Sequence, residues 1–359
     1  MAFVNPSQSQ IDKGAGVSTQ TQSASIALDY VKTIGIVNNG FNGRGFANPY
    51  DMVVGGDGRI FVLNRCDPLR AAAIRVGICN LDEEYLGEFG RGNGAGDGQF
   101  VWPVAMALNS RDRLHITDEY NHRVTIYSTS GEYLSHWGTA GSGNGELNGP
   151  AGIAIDSSDN VFVVDQHNAR VQKFTAEGGF ITAWGSFGNK EGQFNLPWGA
   201  AIDGDDNVYV ADWRNDRIQK FTNDGEFLAA YGGSGSGEGQ FQRPTSVAVD
   251  AEGFIYVADW GNERVQVLGP DGGFQLILRG QATVSKWAED YFASNPEEKA
   301  ERDISNLVPN LPSHLNTPYH VSSQTEPYFW GPVSVTLDRD GHLYVAETNR
   351  HRFQVYRKR

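Results

Sequence analysis

The chain has 359 residues, with 29 Lys and Arg against 43 Asp and Glu, a formal charge of −14. Apolar residues make 39% and charged residues 20%, which excludes an acidic disordered chain. No apolar run is long enough for a spanning helix, and the acidity argues against a nucleic-acid binder, since phosphate recognition needs a basic face.

Residues 1–25 are rich in Ser, Gln and Thr and read as a disordered tail. They lack a basic segment followed by an apolar one, so a cytoplasmic protein, or one whose signal has been removed, is expected, with no membrane partner. Two cysteines, Cys66 and Cys79, are too few for a disulfide framework.

After the tail, residues 28–35 (LDYVKTIG) read as a strand. They match the last strand of later units, such as FITAWG and FLAAYG. A marker Phe/Leu-x-x-Pro then recurs at Phe46–Pro49, Phe100–Pro103, Leu147–Pro150, Phe194–Pro197, Phe241–Pro244 and Phe329–Pro332. From Pro103 to Pro244 the step is a constant 47 residues. Asp118, Asp165, Asp212 and Asp259 keep that step, as do Arg123, Arg170, Arg217 and Arg264.

Within the unit 194–232, β-rich runs at Gly199–Ile202, Val208–Ala211, Arg217–Phe221 and Phe227–Tyr231 alternate with Asp/Asn/Gly turns. Four such short strands cannot bury both faces alone. Stacking the units around an axis solves this and predicts an all-β, six-bladed β-propeller. The sixth unit ends after its third strand, at Arg359. Residues 26–36 are therefore expected to supply its fourth strand and remove the free edges of an open ring.

The step from Pro244 to Pro332 is 88, so residues 279–327 are an insertion between blades five and six. Val284, Trp287, Ala288, Tyr291 and Phe292 form a helical apolar stripe. Asn295-Pro296-Glu297-Glu298 opens a second helix. The connection leaves from the face that carries the blade prolines. The insertion therefore reads as a lid over a central pocket.

The repeat Asp and Arg recur in nearly every unit, which assigns them a structural ion pair. Candidate functional residues are those that vary around one face. After the repeat Asp come Glu119 and Tyr120, Gln166 and His167, Trp213 and Arg214, Trp260 and Gly261, Thr348 and Asn349, and, in the first unit, Arg65 and Cys66. After the prolines come Tyr50, Val104, Ala151, Trp198, Thr245 and Val333. An apolar hollow with a few converging polar groups is the usual form of a small-molecule site.

The six units resemble NHL repeats, over residues 26–359 apart from the insertion. A more distant resemblance is to peptidyl-hydroxyglycine amidating lyases. Arg65, in Asn64-Arg65-Cys66-Asp67, matches that family's Arg position. Tyr120 matches its Tyr type. The family's zinc histidines follow blade prolines, where this chain has none, so that three-histidine site is not expected. No cofactor is assigned, and a divalent metal ion in the central cavity stays open.

The reading favours an enzyme, a lyase or hydrolase acting on a small anionic or aromatic molecule. Arg65 and Arg214 would hold an anion. Tyr120, His167 or Glu119 would supply acid or base. Tyr50, Trp198, Trp213, Trp260, Thr245 and Asn349 would line the substrate site. The alternative is a non-enzymatic NHL scaffold for a protein or peptide partner.

Overall fold

The computed structural model describes residues 26–38, 43–90 and 92–359, so the tail read at 1–25 lies outside the described residues. Six four-stranded antiparallel sheets surround a central channel. Blade 1 is Pro49–Val54, Ile60–Asn64, Arg75–Cys79 and Tyr85–Phe89; blade 2 is Pro103–Leu108, Arg113–Asp118, Arg123–Ser128 and Tyr133–Trp137. Blade 3 is Pro150–Ile155, Val161–Asp165, Arg170–Phe174 and Phe180–Trp184; blade 4 is Pro197–Ile202, Val208–Asp212, Arg217–Phe221 and Phe227–Tyr231. Blade 5 is Pro244–Val249, Ile255–Asp259, Arg264–Leu268 and Phe274–Leu278. Blade 6 is Pro332–Leu337, His342–Glu347 and Arg352–Lys358, closed by Leu28–Ile34, which pairs antiparallel with the last of these.

Register places the repeat residues at one end of the disc. Each blade's proline faces the residue that ends its second strand, as in Pro150↔Asp165 and Pro197↔Asp212. That residue in turn faces the first residue of the third strand, as in Asp165↔Arg170. The turns after the second strands therefore share this end, the mouth, with the interblade connections.

Here Asp165 accepts from the Asn148 amide, Asn168 Nδ2, Arg170 Nε at 2.7 Å and Gln172 Nε2. Asp212 and Asp259 repeat the set with Arg217 and Arg264, and blade 6 uses Glu347 with Arg352. Blade 2 departs from the expected pair. Asp118 is occupied by the amides of Val101, Trp102, Tyr120 and Asn121. Arg123 instead donates to the carbonyls of Ala95, Gly96 and Gln99.

One apolar cluster fills each junction between neighbouring blades. At four junctions the last residue of an outer strand packs on a glycine in the next blade's third turn. A Cβ on Gly178 would come within 2.4 Å of Trp137, and Gly131, Gly225 and Gly272 stand likewise to Phe89, Trp184 and Tyr231. The junction from blade 6 to blade 1 breaks this rule. Its outer strand ends in Ile34, and Glu83 takes the glycine position with φ 62°. The missing ring comes from the insertion: Trp287 is 1% exposed, packs on Phe46 with centroids 5.5 Å apart, and joins Ile34 and Cys79 in one cluster.

The insertion forms α1 (Lys286–Ser294), α2 (Pro296–Ile304) and α3 (Pro318–Gln324). Ser285 caps α1 through the Ala288 amide and donates to the Gly35 carbonyl. Asn295 makes no side-chain cap to α2, and Glu298 accepts from Tyr291 instead. Beyond Trp287, α1 is tied to the flank by Asp290 with Arg44. α3 reaches the rim of the mouth, where Arg350 donates to the carbonyls of Ser322 and Ser323. The aromatic anchor of the insertion is used on the side of the disc, no insertion residue lines the mouth hollow, and α3 meets the Trp260–Asn262 turn at the rim.

Among the described residues, no helix is long and apolar enough to cross a membrane. Cys66 and Cys79 are both buried and free, with no disulfide between them.

Candidate functional site at the mouth

The hollow at the mouth holds about 180 Å³ and is lined by Tyr50, Trp198, Trp213, Thr245, Trp260, Val333, Thr348 and Asn349. The lining falls there for a topological reason. The residue after each proline opens an inner strand, and the residues after each second strand turn over its end. Trp198 bridges the wall, with its ring centroid 6.4 Å from both Tyr50 and Trp213. Burial pushes the Tyr50 phenol up from its ordinary pKa, more than neighbouring Arg65 pulls it down.

Beside Tyr50 lies a charged row. Arg65 sits between two rings, its guanidinium carbon 4.8 Å from the Tyr50 centroid and 5.5 Å from that of Trp102. Its Nη2 donates to Glu119 Oε2 at 2.6 Å, and both side chains are mostly buried. Its Nη1 is buried without an acceptor among the described residues. The second oxygen of Glu119 lies 3.9 Å from His167 Nε2, so one carboxylate serves both neighbours.

In the next blade's turn after the row, Arg214 stacks on Trp213 at 5.6 Å. Arg243 lies at 5.1 Å from the same ring. The sequence reading missed Arg243 and Trp102, which flank the blade prolines on the other side. The signal available was the position just before each proline. Tyr120 is not brought into the hollow: it is 59% exposed and edge-on to Trp102.

Below the hollow the channel continues as a cavity of about 260 Å³ between the inner strands. Asp51 faces it and accepts from Ser334 Oγ at 2.6 Å and the Met106 amide at 2.7 Å. Desolvation raises its carboxyl to about 6. A divalent metal ion does not fit these residues. No three His, Cys, Asp or Glu side chains gather among the described residues, and both Asp51 oxygens are already engaged.

A family model described as a 6-bladed beta-propeller matches residues 105–183. The NHL repeat model matches 194–221, 241–268 and 329–356. The chain is a six-bladed propeller carrying NHL repeats. No curated protein sequence matches this NHL propeller. Among solved structures, a streptogramin B lyase is 12% identical, with 93% of this chain and 98% of that one covered and a TM-score of 0.54. A protein of unknown function from Bacteroides thetaiotaomicron is 17% identical over 93% and 76%, with a TM-score of 0.61. A catalytically inactive virginiamycin B lyase from Staphylococcus aureus, with quinupristin, is 13% identical over 92% and 99%, with a TM-score of 0.53. At such identities the likeness is one of fold, and a propeller's function resides in its site.

Proposed function

We propose that the mouth binds a small aromatic or anionic molecule and acts on it as a lyase or hydrolase. The observation that carries this reading is the adjacency of an aromatic hollow to the row Arg65–Glu119–His167. Tyr50 belongs to the hollow, Arg65 lies on Tyr50, and Glu119 links Arg65 to His167. In this reading His167 takes the proton, and Glu119 offsets the charge that develops. The aromatic wall holds the apolar body of the substrate. The lyases among the fold's neighbours support the scaffold, not the chemistry.

The test is a turnover screen by mass spectrometry over quinupristin, aryl esters and lactones. A hydrolase adds the mass of water, whereas a lyase eliminates without it. Glu119→Gln and His167→Ala are expected to lower kcat by about a hundredfold or more, with little change in KM. Absence of turnover across the panel, or turnover indifferent to both variants, overturns the reading.

A second reading, a scaffold for a protein or peptide, is favoured by the exposed Tyr120–Trp102 pair at the rim. It predicts that Trp102→Ala with Tyr120→Ala abolishes partner capture while the hollow is untouched.

A further inference from the structure

Of the cations around the mouth, most already have partners. Arg65 is neutralised by Glu119 at 2.6 Å, and its remaining terminal nitrogen is buried. Arg350 donates into the carbonyls at the end of α3. Arg217 and Arg264 belong to the repeat ion pairs. Arg214 and Arg243 differ. Both are exposed, and among the described residues neither guanidinium has an ion pair or donates a hydrogen bond. Both lie within 6 Å of one ring, Trp213, which lines the hollow.

A guanidinium stacked on an indole uses its face and leaves the in-plane N–H donors free. Those donors match a carboxylate, sulfonate or phosphate in two-pronged geometry. Asp216, on that side, accepts from the Arg243 backbone amide and from Ser234 Oγ, and among the described residues it forms no ion pair with either guanidinium. The two side chains thus present unpaired guanidinium groups at the edge of an aromatic hollow.

We infer that Arg214 and Arg243, rather than Arg65, receive the anionic group of the ligand, and that the ligand is a flat aromatic acid. This rests on the reading of the mouth as a small-molecule site and names the ligand class for it. Trp198, Trp213 and Trp260 take the ring, and the acid group reaches outward to the arginines. Arg65 is left to hold Glu119 in place.

The test uses two probes of one shape, 2-naphthoate and its neutral amide, followed by quenching of tryptophan fluorescence at low salt. Naphthoate is expected to bind about tenfold tighter or more. The preference should shrink as salt screens the exposed arginines. Arg214→Gln with Arg243→Gln should bring the two probes within about twofold of each other, because it removes the charge-assisted bonds and leaves the amide's affinity in place. Arg65→Gln with Glu119→Gln, which removes a neutral pair, should keep the preference.

Equal binding of both probes to the unaltered chain overturns the anion assignment and leaves the aromatic hollow standing. So does a preference that survives loss of both rim arginines. A preference lost with the Arg65/Glu119 pair returns the role to Arg65. Failure of both probes to bind at millimolar concentration overturns the hollow itself as an aromatic site, together with the anion assignment.

Discussion

Trp287, carried by the insertion, donates its indole N–H to the backbone carbonyl of Glu83 in blade 1. The contact sits where the ring closes, between the strand from the start of the chain and the first blade. It gives that junction a ring, which the four junctions from blade 1 through blade 5 take from their own outer strands. Trp287→Ala is expected to lower unfolding free energy by about 3–5 kcal/mol, the usual cost of emptying a large buried aromatic site. Urea denaturation checks this. A loss below about 1 kcal/mol would mean that the insertion is not part of the closure.

Glu263 is 4% exposed and accepts from the Gly331 amide at 2.6 Å, across the junction between blades 5 and 6. Burial raises its carboxyl to about 7, with the nearby Glu347 adding to the rise. Between about pH 4.5 and 7 the folded chain keeps a proton that the unfolded chain has released. Stability therefore falls with rising pH across that window, on the order of 3 kcal/mol in all. Glu263→Gln keeps the acceptor oxygen and removes the titration. It should flatten this part of the stability curve, measured as urea midpoints from pH 4.5 to 8.

His115 gives the opposite sign. It is fully buried, neither ring nitrogen is bonded among the described residues, and burial lowers its pKa to about 4. The unfolded chain binds a proton first as pH falls below 6.5, so stability declines from there toward pH 4. Other blades carry Phe61, Phe162, Tyr209, Tyr256 or Tyr344 at this position of the second strand. His115→Phe should raise the melting temperature by a few degrees and remove the acid-side decline. An unchanged acid limb would point to a different group.

The propeller was legible because its signals are repeated. Proline, aspartate and arginine at a fixed step set the register, and register sets which end is the mouth. The lining aromatics followed, because Tyr50, Trp198, Trp213 and Trp260 occupy fixed places in that repeat. What could not be read is what depends on side-chain direction. Tyr120 and Glu119 are adjacent in sequence, yet one turns outward to Trp102 and the other inward to Arg65. The helical stripe of the insertion announced that Trp287 would be buried, but not against what. The aliphatic residue at the end of the closing strand, Ile34, where other outer strands end in a ring, was the available clue. Arg123 shows the same limit, since repetition implied an ion pair that local competition for Asp118 removes.

Arg65–Glu119 and Arg44–Asp290 are ion pairs of equal length, 2.6 Å, in different surroundings. The first pair is 17% and 16% exposed at the side chains and lies between two aromatic rings. The second is 43% and 48% exposed. Water screens the second, so a double-mutant cycle to alanine should give a coupling of about 0.5 kcal/mol or less. The first is shielded, and truncating one partner leaves the other charge mostly buried. Its coupling should reach about 1–3 kcal/mol, and the double variant should be more stable than the sum of the singles implies. Raising salt should erode the Arg44–Asp290 coupling and leave most of that between Arg65 and Glu119. If both cycles give the same small value with the same salt dependence, the row beside the hollow is open to solvent. Glu119 would then lack the low-dielectric setting in which its charge can act strongly on His167.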